Sequence, residues 1–333
     1  MGLFSKTIGI DLGTTNTLIY TKEAGVILNE PSVVAVDRFE SKVLAVGEQA
    51  NEIIGRTPGN IVAVCPMKNG VIADFDVTSA MLRAFIKKAS VGGMLKPRAV
   101  VSVPSGITEV ESRAVTEAVV MAGVKEAFLI EEPMAAALGA NIATSEASGN
   151  MIVDIGGGTC EVAVISLGGI VASKSVGIAG DALDSAIINY IKKDLSLNIG
   201  NKMAEGIKTQ IGSAYKLSKG ESMIVRGRDV STGLPKECMV TDEQIREAMS
   251  ANITQILDTI KCTLENTPPE IAADIMKKGI VISGGGALIR GLDKLIFETL
   301  KIPVYVAENP LECVAIGTGK YVAELKNRKK QGA

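Results

Sequence analysis

The sequence predicts an α/β protein built from two domains of one fold, with a ligand cleft between them. Three observations carry this. Gly149 to Ile165 reads as an apolar run ending in Asp154, then Gly156, Gly157 and Gly158, then a second apolar run, the pattern of strand, tight turn and strand. Ile8 to Tyr20 repeats the pattern around Asp11 and Gly13, and both the aspartates and the glycines are 143 residues apart. A third apolar run follows each hairpin, at Val26-Ile27-Leu28 and at Ile170-Val171-Ala172. A repeat of this length implies two domains related by pseudo-symmetry.

The hairpins carry chemistry as well as shape. Glycine lets backbone N–H groups approach a ligand closely, and successive N–H groups in such a turn form a nest for an anion. An aspartate at the end of a buried strand is costly unless it meets a donor or a cation. A carboxylate beside a phosphate cradle points to Mg²⁺ shared with a nucleotide. The plainer reading is a structural hairpin with a satisfied aspartate. The repeat favours the first reading, because two facing hairpins would grip a phosphate chain from both sides.

Composition removes other classes. With 333 residues and 47% hydrophobic content, two cores can form and disorder is not expected. The net charge of −2 argues against a nucleic-acid partner held by phosphate contacts. The chain has no histidine, so histidine triads, bases and metal ligands are absent. Its five cysteines are scattered without metal-knuckle or CxxC spacing, as expected of reduced thiols in the cytosol. No apolar run approaches the ~18 residues of a membrane span, and no secretory signal is expected before the first strand.

The elements follow in order. Leu3 and Phe4 precede the first strand, and either tuck into the core or touch a membrane. Strands are expected near 7–12, 16–21 and 25–29. Pro31-Ser32 opens an insertion over 32–74, with strands at 32–36 and 42–46 and a helix around 48–56. Asp76 is expected to cap a helix over 77–89, with Met81, Leu82, Phe85 and Ile86 on one face. Met94 and Leu95 lie in a Gly-rich loop beside Lys87, Lys88, Lys96 and Arg98. Either they fold back on that helix or they meet a membrane.

Arg98 to Val103 reads as a strand, Thr108 to Glu111 as a capping box opening a helix to about 122, and Ala127 to Ile130 as a buried strand. Pro133 suits a first helical position. Glu132 is then the N-cap, either a plain cap or an outward carboxylate kept ionised by the helix dipole. Beyond the second hairpin come a helix over 181–195 with Leu183, Ile187 and Ile191 inward, and a second insertion over 196–240. That insertion holds a short helix at Glu205-Gly206-Ile207-Lys208 and strands near 222–228 and 235–240. Thr241 to Gln244 is a capping box for a long helix that Pro268-Pro269 stops. Ile280 to Ser283 is a strand running into Gly284, Gly285, Gly286 and a helix. Position 289 is Ile, so the G-x-G-x-x-G fingerprint fails, and no P-loop signature occurs. Three glycines at a strand end would still admit a flat ligand such as adenosine. Val304 to Val306 is the last strand, a final helix begins near 315, and Lys326 to Lys330 form a basic, solvated tail.

Four segments together resemble a known pattern. Asp11 to Thr17, Glu131 to Ala137, Asp154 to Thr159 and Ser283 to Ala287 resemble the phosphate-1, connecting, phosphate-2 and adenosine motifs of the actin-like ATPase superfamily. Asn29 to Ala35, Gly70 to Asp74 and Thr267 to Glu270 are similar to the MreB/Mbl family of bacterial actins, and the resemblance covers essentially the whole chain. It implies an actin-like fold of two RNase-H-like domains, each with an inserted subdomain, closing on Mg-ATP. The implied subdomains are IA (1–31, 75–145 and 316–333), IB (32–74), IIA (146–180 and 244–315) and IIB (181–243).

The resemblance also implies roles. Gly13, Thr14, Thr15 and Asn16, with Gly156, Gly157 and Gly158, hold the phosphates of ATP or ADP. Asp11 and Asp154 order the waters of Mg²⁺. Glu205, Lys208, Gly284, Gly285, Gly286 and Ala287 surround adenosine. Glu132 positions the attacking water with Thr159 as its helper, as an ionised carboxylate at a domain hinge can. Thr15 and Cys160 stand where Ala and Thr are usual. The expected function is a slow Mg-dependent ATPase that polymerises into paired protofilaments at the inner face of the cytoplasmic membrane. Leu3, Phe4, Met94 and Leu95 would contact lipid, and the partners would include cell-wall elongation machinery such as RodZ, with a role in rod shape. The alternatives are a chaperone-type ATPase, which needs a substrate-binding domain, and a small-molecule kinase, which needs a base for its second substrate.

Overall fold

A computed structural model describes residues 7–40, 42–54, 59–89 and 96–331. Leu3, Phe4, Met94 and Leu95 lie outside them. Two five-stranded sheets share one topology. In the first, Glu126–Glu131, Arg98–Val103, Thr7–Leu12, Asn16–Thr21 and Gly25–Pro31 lie side by side in that order. In the second the order is Val304–Val306, Ile280–Ser283, Asn150–Ile155, Cys160–Ser166 and Gly169–Val176. In each sheet the hairpin and the strand after it are antiparallel, one later strand pairs in parallel with the hairpin's first strand, and a further strand pairs in parallel with that one. The repeat seen around two aspartates is therefore a repeat of whole sheets.

The core explains why each sheet holds. Ile8, Ile10 and Ile19 pack with Met81, Leu82 and Phe85 of helix Phe75–Lys88, all fully buried. In the second sheet Val153, Ile155 and Val162 pack with Leu183, Ile187 and Ile191 of helix Gly180–Asp194 and with Ile256 and Ile260 of helix Asp242–Glu265. Between the sheets runs helix Glu132–Gly139. Its Ala135, Ala136 and Ala137 are fully buried in one cluster with Val100 and Ile130 of the first sheet and Ile152, Ala163 and Ile165 of the second. Small side chains let a helix approach both sheets, and this puts its N-terminus where the two hairpins meet. The final helix, Cys313–Gln331, lies as close: a Cβ on Gly317 would stand 1.7 Å from the Ala135 carbonyl oxygen, and one on Gly9 2.2 Å from Thr318 Oγ1.

Each insertion forms a small sheet with a helix. Lys42–Val46, Val34–Asp37 and Ile61–Val64 make one, beside helix Glu48–Ile53. Leu197–Asn198, Ser222–Asp229 and Pro235–Thr241 make the other, beside helix Asn201–Ile211. Both capping boxes form, at Thr108/Glu111 and at Thr241/Gln244.

Several expectations are corrected. Asp74, not Asp76, caps helix Phe75–Lys88, because its Oδ1 accepts from Val77 N at 3.0 Å; Asp76 sits in the first turn. The strand expected from Ser32 begins at Val34, since Ser32 is used to brace the first hairpin. Strand Ile61–Val64 and helix Pro269–Lys278 are not expected from the sequence: the first is a four-residue run, and in the second Pro269, expected to stop one helix, begins the next. The three glycines open a 3₁₀ turn, Gly285–Leu288, not an α-helix. The final helix runs on to Gln331 and takes in the basic segment 326–330.

Candidate functional site

Asp11 and Asp154 occupy equivalent places near the ends of the first hairpin strands. The sheets bring them close enough that Asp154 raises the pKa of Asp11. Burial and that neighbour push Asp11 up to about 7, and burial pushes Asp154 up to about 6. Each has one side-chain donor opposing the shift. Ser102 Oγ donates to Asp11 Oδ1 at 3.0 Å, and Ser283 Oγ donates to Asp154 Oδ1 at 2.6 Å.

The turns of the two hairpins face each other in contact. A Cβ on Gly157 would lie 1.7 Å from Thr15 Oγ1, and one on Gly158 would lie 2.4 Å from Thr14 Oγ1. Glycine is required here for close approach. The first turn is braced from below: Ser32 Oγ donates to the Gly13 carbonyl at 2.7 Å and pairs with Thr17 Oγ1 at 2.9 Å, and Ser32 N donates to the Thr15 carbonyl at 2.8 Å. The second turn is braced by helix Gly180–Asp194, whose first two N–H groups donate to the carbonyls of Gly156 and Gly157 at 3.1 and 2.8 Å. The Asn69-Gly70 turn closes over both, with Gly70 N donating to Thr14 Oγ1 at 2.9 Å. Asn16 turns away, its amide donating to Asn29 Oδ1 at 2.7 Å.

Glu132 is not the N-cap. Glu131 takes that place, Glu132 opens the helix and Pro133 follows it. The Glu132 side chain is buried rather than outward, 6% exposed. Burial, then Glu161, Asp11 and Asp154, push its pKa well up, while a hydrogen bond from Thr159 pulls it down. The helix dipole is thus outweighed, and the neutral form of this carboxyl is favoured far more than in a free glutamate. Sequence reasoning missed Glu161, which faces Asp154 across the second hairpin and is fully buried. Its Oε1 accepts from Ser175 Oγ at 2.5 Å and its Oε2 from Ser105 N at 3.3 Å, and burial pushes it up to about 7. The signal was one charged residue in an otherwise apolar strand. Ser283 ends an apolar run and Ser102 interrupts one, but neither run shows which carboxylate its hydroxyl meets.

The residues expected around adenosine gather on the second half. A Cβ on Gly284 would meet the Ile155 carbonyl oxygen at 2.3 Å, so these glycines lie flat on the strand that carries Asp154. Glu205 is exposed, and Lys208 Nζ is held by Asp184 Oδ2 at 2.9 Å and the Gly180 carbonyl at 3.1 Å. Thr15 Oγ1 reaches Asp181 Oδ1 at 3.4 Å, a contact that Ala at this position would not make.

The donor set suits a hydrated Mg²⁺. Among the described residues no cluster of three or more acidic, cysteine or histidine side chains would hold a metal alone. Mg²⁺ instead keeps several waters and is held by one or two carboxylates together with phosphate oxygens. Asp154 raises the proton affinity of Asp11, and a cation beside the two carboxylates would relieve it.

The family model for MreB/Mbl protein matches residues 5–330. The chain belongs to the MreB/Mbl family. It is 52% identical over 318 residues to the cell shape-determining protein Mbl of Bacillus subtilis (strain 168), covering 95% of this chain and 96% of that one. It is 53% identical over 325 residues to the cell shape-determining protein MreB of Escherichia coli (strain K12), covering 96% and 94%. The crystal structure of MreB 5 of Spiroplasma citri bound to AMPPNP superposes with a TM-score of 0.95 at 38% identity over the whole of both chains. The fold is therefore the actin-like fold of the MreB/Mbl bacterial actins. Among the described residues no helix is long and apolar enough to cross a membrane.

Proposed function

We propose that this MreB/Mbl-family chain is an ATP-dependent, filament-forming actin that works against the cytoplasmic membrane and organises wall synthesis to maintain rod shape. The observation that carries the nucleotide reading is the pair of equivalent aspartates, Asp11 and Asp154, beside two glycine turns in contact across the halves. Mg²⁺, when bound with ATP, would supply charge neutralisation at the phosphates. Gly156, Gly157, Gly158 and the turn at Gly13 to Asn16 would offer backbone N–H groups to those phosphates. Glu132, with Thr159 beside it, would orient the attacking water, a task of position more than of basicity in phosphoryl transfer. Glu205, Lys208 and the glycines at 284–286 with Ala287 would flank adenosine. The subdomains given above are part of this proposal, with the two five-stranded sheets in IA and IIA and the two three-stranded sheets in IB and IIB.

Calorimetry with Mg-ATP tests the site. Asp11→Ala and Asp154→Ala should each lose binding, and wild-type affinity in both would sink the two-hairpin reading. Sedimentation with and without ATP, in the absence of any added substrate, tests the filament; phosphate transfer to a sugar would favour the kinase. The membrane reading rests on Leu3, Phe4, Met94 and Leu95, and the partnership with wall-elongation proteins such as RodZ rests on the family likeness.

A further inference from the structure

We propose that Ser102 and Ser283 are positioning residues that hold Asp11 and Asp154 in the orientation a hydrated divalent cation needs. The inference rests on the reading of the cleft as a Mg-nucleotide site. Its ground is a repeat that the sequence conceals. In each sheet the strand parallel to the aspartate's own strand carries a serine at the matching register. Asp154 pairs with Ser283, and Ile10 pairs with Val101, which places Ser102 level with Asp11. The serines are 181 residues apart and the aspartates 143, so the match exists only in the fold. Both serines are buried, and each donates to Oδ1 of its aspartate.

A hydroxyl inside an apolar strand is costly unless bonded, and Ala would fit the same place. Among the described residues the partner of each hydroxyl is the aspartate. A donor on Oδ1 fixes the plane of the carboxylate, favours its ionised form and leaves the other oxygen for a metal-bound water. Partners of this kind behind metal-binding carboxylates typically contribute 10–100-fold in metal affinity. Neither serine need touch ligand.

The test is a Mg²⁺ titration of ATP binding, followed by calorimetry or by a fluorescent ATP analogue, with EDTA as the metal-free reference. Ser102→Ala and Ser283→Ala should each raise the half-saturating Mg²⁺ concentration about tenfold or more, and the double variant further still. Melting temperatures establish that the variants fold. If an alanine variant does not, Ser→Cys keeps the size with a poorer donor. Folded variants that titrate with Mg²⁺ as wild type does, or that lose the same affinity with and without Mg²⁺, would overturn the proposal and leave the serines as packing. Asp11→Asn and Asp154→Asn separate the two levels. If they leave the Mg²⁺ dependence intact, the site reading fails and this inference with it. If they abolish it while both serine variants match wild type, only the role of the serines falls.

Discussion

Glu132 shows how far a residue's role can be read from its neighbours in sequence. The motif around Pro133 gave its place at a helix start but not its burial, because Glu161, Asp11 and Asp154 come from distant strands. In this setting it would act on water held by Thr159 and the phosphate. Glu132→Ala should bind Mg-ATP but release phosphate more slowly. A placed polar group of this kind typically contributes ~10²–10⁴-fold, with the smaller end expected of a slow filament ATPase. Unchanged phosphate release at saturating ATP would leave Glu132 a structural residue. The same carboxyls make stability depend on pH. Asp11 at about 7, Asp154 at about 6 and Glu161 at about 7 all lie above their unfolded values. Between about pH 4 and 7 the folded protein therefore holds protons that the unfolded chain has released, so stability falls as pH rises through that window. Within the window each titrating group removes up to about 1.4 kcal/mol per pH unit. Asp37, Glu111, Asp229 and Glu298 are held below their ordinary values chiefly by their hydrogen bonds, so their contribution to stability runs in the opposite sense. The melting temperature without metal or nucleotide should drop from pH 5 to 7.5, and Asp11→Asn should flatten the slope. A melting temperature that climbs over this range would mean the carboxyls are not jointly buried in solution.

At the scale of elements, the hairpins were legible because alternation, an aspartate and glycines are all local signals. What was not legible depends on contacts between elements. Asp74 and Asp76 are both good caps by type, and only the path of the chain from Pro66 to Phe75 decides between them. The strand Ile61–Val64 gains its identity from pairing with Val34–Asp37. Ser102 needed the register of a parallel pairing that sequence does not display. The contact between the turns is also tertiary, and it yields a prediction. In Gly157→Ala the new methyl would collide with Thr15, whose Oγ1 and Cβ lie 1.7 and 2.7 Å from the ideal Cβ position. The hairpins should part, and Mg-ATP affinity should fall by an order of magnitude or more. Thr15→Gly in the same chain removes both colliding atoms and should restore part of the loss. Calorimetry on the single and double variants reads this; if Gly157→Ala binds as wild type, the turns do not meet in solution.

At the scale of the whole molecule, the question is what two closing halves accomplish together. The helices beside the two small sheets meet across the cleft mouth, where Lys202 Nζ of helix Asn201–Ile211 donates to the Asn51 carbonyl of helix Glu48–Ile53 at 2.5 Å, so in the proposed reading nucleotide at the hairpins would bear on this contact as well. In the proposed filament every subunit would repeat the same membrane contact, and this would make weak contacts useful. Each fully buried apolar side chain is worth roughly 1.5–3 kcal/mol. Two or three such side chains among Leu3, Phe4, Met94 and Leu95 would give a monomer only reversible attachment. Linked copies multiply avidity without any new contact, and anionic lipid adds attraction for Lys87, Lys88, Lys96 and Arg98. Membrane binding should therefore require polymerisation. Liposome co-sedimentation of wild type against Met94→Ser/Leu95→Ser, under conditions where both polymerise equally, is the measurement. The variant should stay in the supernatant fraction that lipid otherwise depletes. Equal pelleting of the two with lipid would remove this loop as the anchor and move the test to Leu3 and Phe4.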